Sequence, residues 1–119
     1  MIRKFFIVLA VAGVLATCQH RSFLVNDIDQ KETFVIKKMS PLPYIDPLVT
    51  VRLTGYLDGK AVVYIPNGSR IIDEDYAIRL DKGHVRRELS RAFTYERFSV
   101  VYQPITAKGG HLEIQVEAP

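Results

Sequence analysis

The chain has 119 residues and a formal charge of +3, from 16 Lys and Arg against 13 Asp and Glu. That length supports a single hydrophobic core, and so small a positive surplus leaves no electrostatic footprint for a polyanion, which argues against nucleic-acid binding. Cys18 is the one cysteine, so an intramolecular disulfide and a multi-thiolate metal site are both excluded.

Met1-Ile2-Arg3-Lys4 is a short basic start, followed by an apolar run from Phe5 to Ala16 that only Gly13 interrupts. A basic n-region, about a dozen apolar residues and small residues at the end form the layout of a secretory signal peptide. The run is shorter than the roughly 20 residues that a transmembrane helix needs. Its end, Leu15-Ala16-Thr17-Cys18, resembles the lipobox of bacterial lipoproteins, with Thr17 where Gly, Ala or Ser is usual. The resemblance implies acylation of Cys18 as the mature N-terminus, an anchor in the cell envelope and removal of residues 1–17. Loss of Arg3 and Lys4 with that segment leaves fourteen basic against thirteen acidic residues. In the enterobacterial sorting scheme Asp after the cysteine retains a lipoprotein at the inner membrane. Gln19 stands there in this chain, which implies the outer membrane.

Residues 18–32 read as the lipidated cysteine and a polar tether. Fourteen extended residues at roughly 3.3 Å each would hold a domain about 45 Å from the bilayer. Phe23-Leu24-Val25 breaks that polarity and offers an alternative, a short strand docked on the domain.

The domain itself, residues 33–119, reads as strands and turns. Thr33–Met39 is a first strand, and three prolines in residues 41–47 make an extended loop or crossover. In Leu48–Leu57, Val49, Val51 and Leu53 alternate with Thr50, Arg52 and Thr54, the period of a half-buried strand. Asp58-Gly59 then predicts a type I′ hairpin into Lys60–Ile65. Pro66-Asn67-Gly68-Ser69 marks a second turn, and Asp81-Lys82-Gly83 a hairpin loop between Tyr76–Leu80 and His84–Leu89. Residues 84–96 also carry Val85, Leu89, Ala92 and Phe93 at helical spacing; the turn before them favours the strand. Phe98–Tyr102 is β-branched, and Gly109-Gly110 turns into a last strand with Leu112, Ile114 and Val116 inward. Seven or eight short strands at this spacing predict an all-β fold, a small antiparallel β-sandwich of immunoglobulin-like or transthyretin-like architecture.

No catalytic constellation emerges, so the reading is not an enzyme. His20 falls in the tether and His84 and His111 in or beside turns, with no zinc-type spacing. Asp73-Glu74-Asp75 offers oxygens with Asn67 or Asp81 nearby. Calcium needs six to eight of them, however, and three consecutive acids of an extended segment do not point one way. Arg86, Arg87 and Arg91 form a basic cluster, read as solvated with local pairing to Glu88 or as a surface for anionic headgroups or an acidic partner. Tyr44, Tyr56 and Tyr95 are either half-buried rims of the core or sugar-stacking platforms. The candidate interaction surface is therefore Tyr44, Tyr56, Arg86, Arg87 and Arg91, with Cys18 for lipidation and no cofactor.

Two functions fit. The first is a lipid-anchored envelope sandwich acting by protein contact as an accessory or assembly subunit, its partners being the membrane and an envelope protein. The second is a ligand-binding module, for a glycan or as an inhibitor of a secreted hydrolase.

Overall fold

The computed structural model describes residues 19–37, 48–68, 70–92 and 97–118. Eight strands lie in these segments: β1 (Gln19–Leu24), β2 (Glu32–Lys37), β3 (Leu48–Leu57), β4 (Ala61–Tyr64), β5 (Ala77–Leu80), β6 (Gly83–Ala92), β7 (Arg97–Pro104) and β8 (Gly110–Ala118). A single 3-10 turn, Glu74–Tyr76, precedes β5. The strands form two antiparallel sheets, sheet I in the order β1-β8-β3-β6 and sheet II in the order β2-β7-β4-β5. The all-β sandwich read from the sequence is what forms.

Its wiring is a different matter. Pairs β1–β8, β2–β7, β3–β6 and β4–β5 are nested, so the chain is one long hairpin with its tip in the loop between β4 and β5, rolled up into a sandwich. This is the jelly-roll arrangement rather than the immunoglobulin-like or transthyretin-like one expected. Apart from β4 and β5, each strand lies in the sheet opposite its predecessor's.

The hairpins expected at Asp58-Gly59 and at Asp81-Lys82-Gly83 are accordingly crossovers between sheets. Both turn signals are real, but a tight turn does not say whether the next strand pairs or crosses. Gly59 has no positive φ. What it requires is closeness, since a Cβ there would stand 2.7 Å from backbone atoms of Thr106. Gly59→Val should still destabilise the domain, through this approach instead of a type I′ turn.

The tether expectation also changes. Gln19–Leu24 pairs along its length with β8, the Val25 N–H donates to the Leu112 carbonyl at 3.0 Å, and Val25 and Ile28 are buried. The strand alternative is the one realised. The first expected strand, Thr33–Met39, becomes β2, with Met39 outside the described residues. Residues 84–92 are strand, as favoured, while 93–96 fall outside.

Burial follows parity. Val49, Val51 and Leu53 of β3 and Leu112, Ile114 and Val116 of β8 face Ile36, Val63, Ile78, Phe98 and Val100 of sheet II, and all are buried. Val62 and Val101 have the opposite parity yet are buried too; Gln103 and Arg79 flank the first across the strands, Thr33 and Tyr64 the second. The space between Val51, Val63, Ile78, Leu89 and Val100 is too tight for a water molecule.

One polar group enters this core. The Tyr102 side chain is fully buried and its hydroxyl donates to the Ile28 carbonyl at 2.7 Å, which pins the β1–β2 connection to β7. Tyr102→Phe should cost about 1–3 kcal/mol, because it leaves a buried carbonyl without its donor; urea unfolding would measure it. Burial first, then Asp58, Glu32 and Asp29, push the phenol from 10.0 up to about 12. The folded state holds this proton more tightly than the unfolded state. Its contribution is therefore complete below pH 10 and lost as pH climbs through about 12. Phenolate absorbance should show one late-titrating tyrosine that disappears in Tyr102→Phe.

Candidate functional site

Sheet I turns its outward parity to solvent as a polar face. Its rows run across the strands β1, β8, β3 and β6: His20, Glu117, Thr50 and Ser90; then Ser22, Gln115, Arg52 and Glu88; then Leu24, Glu113, Thr54 and Arg86. Arg52 is the hub. Its Nε donates to Glu88 at 2.6 Å and its Nη1 to Glu117 at 3.4 Å, and the Glu88 and Glu117 carboxylates raise its pKa further. His20 Nδ1 stands 3.4 Å from Glu117, and the Ser22 hydroxyl donates to Glu113 at 3.0 Å. Glu88, expected to pair with the neighbouring arginines of its own segment, pairs across the ladder instead.

The last row is aromatic: His111, Tyr56 and His84 on β8, β3 and β6. Tyr56 is half-buried, and the His84 ring meets it edge-on with centroids 5.3 Å apart. All three histidines of the chain thus share one face. No spacing along the sequence reveals this, because it depends on which strands become neighbours.

The two sides of the sandwich are treated differently. On the β5–β6 side, arginines of β6 close the gap between the sheets. Arg87 Nη1 donates to the Arg79 carbonyl at 3.0 Å, and Arg91 Nε to the Asp75 carbonyl at 2.7 Å. In the other direction, the Tyr76 hydroxyl of the 3-10 turn before β5 donates to the Ala92 carbonyl at 3.0 Å. Backbone groups of an edge strand, the usual template for unwanted pairing, are here occupied by side chains. The double variant Arg87→Met/Arg91→Met should lose roughly 0.5–1.5 kcal/mol per hydrogen bond. It should also self-associate more readily, which light scattering would read.

On the β1–β2 side the closure is apolar. Phe23 and Phe34 stack with centroids 4.7 Å apart, one from each sheet. Both strands are edges, and Val35 in the middle of β2 is 57% exposed on the outer face of sheet II.

The expected interaction surface is therefore divided. Arg86 lies on the outer face of sheet I in the row next to Tyr56, whereas Arg87 and Arg91 have the opposite parity and latch β5 and the 3-10 turn before it, respectively. Tyr44, Tyr95 and Cys18 lie outside the described residues. Asp73-Glu74-Asp75 does not converge on a centre. Asp73 caps the 3-10 turn through the Asp75 N–H at 3.0 Å and accepts from Asn67 at 3.2 Å, while Glu74 is held by Arg79 at 2.7 Å, which lowers its pKa. Asp58 was read from the sequence only as a turn residue. It accepts the Lys108 N–H at 2.8 Å, and this bond with that of Gly109 lowers its pKa, so it joins two crossovers about fifty residues apart. Among the described residues no group of three His, Cys, Asp or Glu side chains is placed to hold a metal ion.

The chain matches no known protein family and no curated sequence. Among solved structures it is similar to a protein of the Bacillus endospore appendages, which form a family of disulfide-linked pili, with a TM-score of 0.40, 14% identity and coverage of 86% of this chain and 88% of that one. It is also similar to the SPBc2 prophage-derived protein YomS, with a TM-score of 0.41, 10% identity and coverage of 88% and 97%.

Proposed function

We propose that this chain is a lipid-anchored protein of a bacterial cell envelope that works by protein contact, as an accessory or assembly subunit. The observation that carries the contact reading is the inequality of the two sides. The β5–β6 side spends Arg87, Arg91 and Tyr76 on closing itself, while β2 on the other side is an edge strand with Val35 exposed. An added strand gains main-chain hydrogen bonds there and packs against Val35. The anchor reading rests on the lipobox-like residues 15–18 and, through Gln19, places the protein at the outer membrane in a cell that sorts in the enterobacterial way.

Crosslinking in intact cells followed by pull-down tests the contact. Val35→Lys should abolish the crosslinked complex and leave the urea midpoint of the domain nearly unchanged, because a charge at an edge opposes pairing. A wild-type protein found only as a free monomer would overturn the reading. Cys18→Ser tests the anchor: multiple acyl chains give stable attachment, at about 0.8 kcal/mol per buried CH₂. The variant should therefore leave the detergent phase.

A second reading, a ligand-binding module, is favoured by the row His111, Tyr56 and His84 with Arg86 and Glu113 beside it. Tyr56→Ala on a glycan array tests it: the wild type should bind and the variant should not, binding that survives would remove Tyr56 from the site, and a wild type that binds no glycan would sink the glycan reading.

A further inference from the structure

A lipid anchor at Cys18 has no tether to hang from. Gln19, the next residue, is already in register with Ala118 inside sheet I, and neighbouring Cα atoms are only about 3.8 Å apart. We infer that the acylated chain stands end-on against the bilayer, with the end of the sandwich that carries Leu48 and Ile71 seated on anionic lipid headgroups. This rests on the acylation of Cys18 proposed above.

Several elements define that end. Gln19 and Ala118 close the β1–β8 ladder, and Leu48 and Ala92 pair at the corresponding end of β3–β6. The loop between β4 and the 3-10 turn joins them, because Arg91 donates to the Asp75 carbonyl and Tyr76 to the Ala92 carbonyl. That loop is held shut by the Ile65 N–H on the Tyr76 carbonyl at 3.0 Å and by Asn67 on Asp73, and it presents Ile71, 79% exposed. Leu48 is 45% exposed. Arg70 in the loop and Arg97 at the start of β7 are exposed at the same end. Apolar tips flanked by cations suit the boundary of an anionic leaflet. Of the nearby acids, Glu74 pairs with Arg79 and Asp73 with Asn67 and the Asp75 N–H, which sets the exposed Asp75 carboxylate against the two exposed cations Arg70 and Arg97.

The opposite end also exposes an apolar side chain, Ile105, so exposure alone does not choose between them. The position of Gln19 does. With the strands along the membrane normal, ten-residue β3 lifts the far end about 30 Å from the headgroups at roughly 3.3 Å per residue. The β2 edge then faces sideways, toward proteins held in the same membrane.

The native chain has no tryptophan, so single reporters can be introduced at exposed positions. Ile71→Trp and Leu48→Trp mark the near end, Ile105→Trp and Lys82→Trp the far end, the latter beside the Leu57–Gly83 pair that closes the β3–β6 ladder. Each full-length protein, with acylation established by mass, is reconstituted into vesicles of phosphatidylcholine and phosphatidylglycerol containing headgroup spin-labelled lipid. Two reporters at each end keep the comparison if one variant folds poorly. Near-end fluorescence should be quenched several-fold more than far-end fluorescence. Equal quenching at both ends on acylated protein would overturn the seating and leave the anchor standing. A mass without acyl chains would overturn the anchor and the seating together.

Discussion

Leu53→Ala is expected to cost about 2–5 kcal/mol, a large share of the stability of a domain this small. Leu53 is fully buried in β3, which has a neighbour on each side, and it faces Arg87 across one ladder and Ile114 across the other. Its removal opens a cavity in a strand that is paired on both sides, where the flanking backbones are held by their ladders. The adjacent substitution, Arg52→Ala, removes two exposed ion pairs. Pairs of this kind contribute little, so the urea midpoint should barely move. Comparable losses for the two variants would mean that sheet I is turned the other way.

Gly110→Ala should be nearly as damaging. Gly110 opens β8 at φ 128° and pairs with Leu57. A Cβ at this position would stand 2.0 Å from the Tyr56 carbonyl oxygen. That neighbour is backbone in the middle of sheet I and has no rotamer by which to yield. Strain of about 1–3 kcal/mol from the φ value adds to an overpacking cost of similar size. Gly68 provides the control, with φ 88° and open space around its missing Cβ, so Gly68→Ala should show the backbone term alone. Thermal unfolding of both variants would separate strain from collision.

The sandwich was legible in β3 and β8 because one face of each is buried and the other wet, which writes alternation into the sequence. β6 was harder to read. Its inward positions are Val85, Arg87, Leu89 and Arg91, and two of these four are the arginines that reach across to β5 and the 3-10 turn before it, so its alternation is broken and a helical spacing shows through. β1 was legible only as the alternative to a tether, for a related reason. An edge strand exposes its outer face, so Phe23 suffices to mark its inner one, and the segment looks like a polar tether. The turns were found at the right places and misjudged in kind. Asp58 and Gly59 are chosen for contacts with residues 106–109, which local pattern does not contain. The row of His111, Tyr56 and His84 was invisible for the same reason, since it exists only once β8 and β6 flank β3.

The nesting of the strand pairs also sets a timetable for folding. The innermost pair, β4–β5, closes a short loop, while the outermost, β1–β8, joins residues almost a whole chain apart, from Gln19 with Ala118 to Leu24 with Glu113. Loop-closure entropy and high contact order both make the outer pairing late and slow. Among the described strands β1 is synthesised before the other seven, and its partner β8 after them. Until β8 arrives, β1 has no neighbour and β3 lacks one side, so a chain cut short before β8 would lose the β1–β8 and β3–β8 ladders at once. Refolding should therefore lag the formation of local turns, and the interval before β8 docks is when the half-made sheet is most open to aggregation.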